Sequence, residues 1–77
     1  MLVTTFLSLL AILLEIENET LREDDLLSNY SQWDSLSAHE FQLVASDQFG
    51  ILLEMDSIIE CDRVSDLIKL LGNHIER

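Results

Sequence analysis

The sequence predicts an all-α fold: a small four-helix bundle of three main helices and one short helix, with a long loop between the first and second helices. Three observations carry this expectation. Apolar residues recur at helical spacing in separate segments, no strand-like alternation or hairpin dipeptide occurs, and the chain has no proline. Its two glycines, Gly50 and Gly72, each follow a periodic segment, as helix terminators do. Seventy-seven residues leave room for one domain, and a hydrophobic fraction of 48% is too high for a disordered polar tail.

The first helix is expected over residues 3–16. Thr4, Ser8 and Glu15, with the small Ala11 between them, form one narrow stripe at ~3.6 residues per turn, and apolar groups cover the rest. Residues 17–33 then turn polar and acidic, with Glu17, Glu19, Glu23, Asp24 and Asp25 close together and Leu21, Leu26 and Leu27 as apolar anchors. Connections longer than roughly 12 to 15 residues are uncommon in compact domains and are often functional.

The second helix is expected over residues 35–49, opened by Asp34, whose short carboxylate suits the unpaired N–H groups of a first turn. At ~100° per residue, Ala38, Phe41, Ala45 and Phe49 form its core stripe. Leu36 and Leu43 face the other way, beside Glu40 and Asp47. A short helix follows at residues 57–60, read from the capping-box pattern Ser57-Ile58-Ile59-Glu60, with Met55 in the loop before it. The last helix begins after Asp62 and places Val64, Leu67, Ile68, Leu71 and Ile75 on one face.

Composition narrows function by exclusion. Fifteen acidic against four basic residues give a net charge of −11, which repels nucleic-acid backbones and anionic lipid head groups. The apolar segment 2–14 is shorter than the roughly 20 residues of a spanning helix. It also lacks preceding basic residues, so it reads as a helix of the domain, with a signal-like segment as the alternative. One cysteine, Cys61, makes no internal disulfide and suits a reducing cytoplasm. His39 begins a zinc-protease-like pattern, but Leu43 stands where the second histidine belongs, so no metal site is read here. Neither glycine has an Asp five residues before it, which excludes an EF-hand loop. Asp34, Ser35 and His39 hold the residue types of a hydrolytic triad, but no oxyanion site accompanies them, and the chain is not read as an enzyme.

The segment Trp33-Asp34-Ser35-Leu36 is the informative one. With Asp-Ser-Leu at the junction of a long loop and the second helix, the sequence resembles the acyl carrier protein family. Phe49 stands where that family's second helix ends in Phe, and Leu53, Ile58 and Val64 keep its apolar spacing into the last helix. The resemblance covers essentially the whole chain, and it puts Cys61 on an apolar family position, which implies a small buried side chain and not a reactive thiol. It implies a covalent 4′-phosphopantetheine arm on Ser35, holding cargo as a thioester, with Asp34 capping the helix and helping a phosphopantetheinyl transferase. It also implies partners of two further kinds: an acyl- or aminoacyl-loading ligase, and acyltransferase or synthase enzymes with basic docking surfaces. A phosphodiester on Ser35 would meet the partly positive end of the helix.

Leu36, Glu40, Leu43 and Asp47, extended by Met55, form the expected partner face, apolar groups inside acidic ones. His39, one turn beyond Ser35, is an exposed histidine or a partner of the phosphodiester, and Trp33 packs on the loop or lines the arm's exit. Between Ser37 and Phe49 only Glu40 and Asp47 are acidic, fewer than carriers of fatty-acid synthesis usually show. This favours a specialised stand-alone carrier, expected as a monomer in the cytoplasm without stable membrane insertion. Two other readings stand beside it: a non-catalytic acidic helical adaptor domain binding a basic partner protein, and a small membrane-associated subunit anchored by residues 2–14.

Overall fold

A computed structural model describes residues 1–17 and 20–76; Glu19 of the acidic cluster lies outside them. Four α-helices follow in order: α1 at Val3–Leu14, α2 at Ser35–Phe49, α3 at Met55–Ile59 and α4 at Val64–Leu71. The described residues contain no strand, only two isolated bridges. A radius of gyration of 11.1 Å matches the ~11.5 Å expected of a compact chain of this length.

Helix α1 stops two residues before the expected end. The Glu15 and Ile16 N–H groups turn back to the Ile12 and Ala11 carbonyls, at 3.1 and 3.0 Å, with Glu15 in the left-handed conformation (φ 59°). This is the pattern of a Schellman motif, which satisfies the last carbonyls of a helix. The expected outward stripe is shifted: Ala11 is fully buried, and Ile12 takes its place in solvent. A small side chain at position 11 lets α1 pack close to its neighbours, and that rotation brings Ile12 out.

The core is built from Phe6, Leu10 and Leu14 of α1, Ala38, Phe41 and Ala45 of α2, Ile58 of α3, and Val64, Leu67, Ile68 and Leu71 of α4. Phe6 and Phe41 meet edge to face, with centroids 6.2 Å apart, a favoured aromatic geometry. The core stripe of α2 and the buried face of α4 are thus the residues their spacing predicts. Phe49 closes the stripe only half-buried, its ring 5.2 Å from that of His74. Ile75 is buried beyond the end of α4, past Gly72.

Helix α3 begins earlier than the Ser57–Glu60 pattern suggests. The Ile58 N–H already bonds to the Glu54 carbonyl at 3.2 Å, so Met55 is the first helical residue and not part of a loop. Ser57 lies inside the helix and Glu60 ends it, which leaves no place for a capping box there. The early start follows from packing, since Met55 and Ile58, one turn apart, both contact the core.

Between α1 and α2, Leu21 and Leu27 are buried anchors as expected, whereas Leu26 is exposed. The segment is held by its backbone. Leu27 donates to the Asp62 carbonyl (2.8 Å), Val64 to Asp25 (3.0 Å) and Ser65 to Glu23 (2.7 Å), while the Arg63 guanidinium donates to the Asp24 carbonyl at 2.6 Å. The start of α4 is therefore stapled to the chain that leads into α2.

Candidate functional site

Asp34 has extended backbone (φ −144°, ψ −170°) and caps α2. Its carboxylate accepts from the Ser37 N–H at 3.0 Å, and Ser37 Oγ accepts in return from the Asp34 N–H at 2.8 Å. Two of the orphan donors at the start of the helix are thereby satisfied by one reciprocal pair. Ser37 is 5% exposed, the only polar residue among the described residues to be buried. Sequence spacing finds Asp34 but misses Ser37, because Asp-x-x-Ser reverses the usual order of the pattern.

Ser35 stands between these two locked residues as the first residue of α2, and it is exposed. The N–H groups of Ser35 and Leu36 precede the first intrahelical acceptor, so this end of the helix presents free donors. No acidic side chain lies in the first turn beyond the cap itself. Ser35 also lines a cleft of about 290 Å³ with Trp33, Asp34, Ala38 and Ile59. Trp33, half-buried, continues from this cleft into a second one walled by Leu26, Cys61 and Arg63. Ile59, 58% exposed, is a lining residue that its sequence position does not reveal. His39 is exposed.

Of the expected partner face, Leu36 and Leu43 are 66% and 55% exposed, and Glu40 and Asp47 are exposed with them on the outward side of α2. Met55 is half-buried and shares a cleft with Gln42, Leu52 and Leu53 instead of with either leucine. The Gln42 amide donates to the Leu53 carbonyl at 2.7 Å, which ties that connection to α2.

Cys61, Asp25 and Tyr30 have shifted acidities. Burial, reinforced by Asp66, Asp62 and Glu60, pushes the Cys61 thiol up to about 11, so this half-buried sulfur is protonated and unreactive at neutral pH. It is half-buried where full burial was expected, and it donates to the Ser57 carbonyl at 3.4 Å. The Tyr30 hydroxyl donates to Asp25 at 2.6 Å, which holds that carboxyl below its ordinary value and raises Tyr30 to about 12. No helix among the described residues is long and apolar enough to cross a membrane. The chain matches no family model, no curated protein and no solved structure.

Proposed function

We propose that the chain is an acyl or aminoacyl carrier protein, not itself an enzyme, that holds its cargo as a thioester on a 4′-phosphopantetheine arm joined to Ser35. The observation that carries this reading is the exposed Ser35 hydroxyl at the first position of α2, between the reciprocally bonded Asp34 and Ser37. The residues present suit such a group. The free donors of the first turn favour a phosphodiester, and the cap leaves Ser35 outside its hydrogen bonds. When bound, the arm supplies a thiol that forms the thioester, and partner enzymes supply the catalysis.

The chain's own residues hold the arm's base in one orientation. Asp34 and Ser37 fix the turn, and the stapling of residues 23–27 to α4 fixes the approach to it. A transferase would read Asp34 beside Ser35, and cargo-handling enzymes with basic rims would read Leu36, Glu40, Leu43 and Asp47. Incubation with coenzyme A and a broad-specificity phosphopantetheinyl transferase, followed by an intact mass spectrum, tests the reading. A carrier gains one phosphopantetheine group. An acidic adaptor, in which Asp34 and Ser35 only begin a helix, keeps its mass.

A further inference from the structure

The groove between α1 and α2 shares no lining residue with the Ser35 cleft. Phe6, Leu10 and Phe41 form its floor and Leu9, Leu13 and Val44 its walls, around a volume of about 210 Å³. Ile12 stands on its lip, 73% exposed, the second most exposed large hydrophobic side chain among the described residues. A neighbouring cleft shares Ile12, Leu13 and Glu40 with this groove and adds Glu15 and Asp34. One trough therefore runs from an apolar end to an acidic one.

Glu15 makes this acidic end informative. It holds a left-handed backbone conformation, unfavourable for a non-glycine residue, at the negative end of the α1 dipole. A glycine would serve the turn better. No hydrogen bond or ion pair with a described residue engages the carboxylate of Glu15 or Glu40. The side chain places a charge at the acidic end of the trough.

We propose that this trough is a docking site for a basic amphipathic helix of a partner protein, its apolar ridge seated between Ile12 and Val44 and its Lys or Arg side chains on Glu15 and Glu40. The inference goes beyond the carrier reading and does not depend on modification of Ser35. Charge selects the occupant. The trough carries carboxylates and none of the three described basic residues, Arg22, Arg63 and Lys69, so a cationic ridge-and-flank helix complements it. A second copy would bring −11 against −11.

The test is a titration of the isotopically labelled chain, followed by nuclear magnetic resonance, with a synthetic amphipathic helix of Leu and Lys about 14 residues, or four turns, long. Amide shifts should move at Ile12, Leu13, Glu40 and Val44. Ile12→Glu should weaken binding at least about tenfold although it adds a favourable charge, because an apolar contact is lost. Val44→Gln, on the opposite wall, should act in the same direction, and circular dichroism checks that both variants fold. A Lys/Gln helix of equal charge should bind at least about tenfold more weakly than the Leu/Lys helix. Ser35→Ala should bind as the parent does, which separates this result from the fate of the carrier reading. Three outcomes overturn the proposal: equal affinity for the Lys/Gln helix, loss of binding in Leu43→Glu but not in Ile12→Glu, or a concentration-dependent dimer that Ile12→Glu abolishes.

Discussion

The Asp34 carboxylate accepts from the Ser37 N–H at 3.0 Å while Ser37 Oγ accepts from the Asp34 N–H at 2.8 Å, and Ser35 stands between them with its side chain in solvent. Two neighbouring serines thus have opposite fates, Ser37 consumed by the cap and Ser35 outside it. The same cap that stabilises the helix also makes one hydroxyl at its start available.

Removing either half of the pair should cost stability. Asp34→Ala and Ser37→Ala are each expected to destabilise the fold by about 1 kcal/mol, the usual worth of an N-cap. The double variant should lose less than the sum, because each single change already breaks the reciprocal bonds. Urea unfolding of the three variants measures this, and strict additivity would show that the two bonds act independently.

The two faces of α2 should separate in their response to truncation. Phe41 is buried against Phe6, and Phe41→Ala is expected to destabilise by ~3 to 5 kcal/mol. Leu43→Ala should change stability by less than ~0.5 kcal/mol, as exposed substitutions do, yet weaken cargo transfer by a cognate enzyme. Thermal unfolding and a transfer assay read the two effects.

Relief of the strained turn after α1 should be stabilising. Glu15→Gly removes the left-handed penalty and a carboxylate from the negative end of the helix, so an increase of about 1 kcal/mol is expected despite the greater freedom of glycine when unfolded. An unchanged or lower melting temperature would mean that the turn carries no such strain.

Alkaline pH should weaken the fold in two stages. In the unfolded chain the Cys61 thiol ionises near its ordinary value of 9.0, but in the folded chain only at about 11, so stability falls as pH rises through this window. Tyr30, raised from 10.0 to about 12, extends the decline. Cys61→Ala should remove the first stage and leave the second. Urea midpoints measured from about pH 8 upward test the order.

Much of this fold was legible in the residues themselves. The α2 boundaries and its Asp34 cap, the buried Ala38, Phe41 and Ala45, and the apolar face of α4 all follow from helical spacing and local capping chemistry. Sequence and structure differ where tertiary packing decides between local options. Ala11 reads as a spacer among polar residues, but its small size makes it a point of close approach. Ser57 and Glu60 match a capping box, but burial of Ile58 and contact by Met55 start α3 two residues earlier. The staple between residues 23–27 and the start of α4 is made almost wholly of backbone bonds and has no side-chain signature. Ser37 and Ile59 belong to the candidate site through geometry alone.

Ser35, and no other hydroxyl, is expected to accept the arm. The most direct measurement compares intact masses of the parent chain and Ser35→Ala after incubation with coenzyme A and a broad-specificity phosphopantetheinyl transferase, with a melting curve for each. One added phosphopantetheine group is expected on the parent, none on Ser35→Ala, and closely similar melting curves, since the substituted side chain is exposed and outside the cap. A parent chain of unchanged mass, or a Ser35→Ala chain that still gains the group, would contradict it.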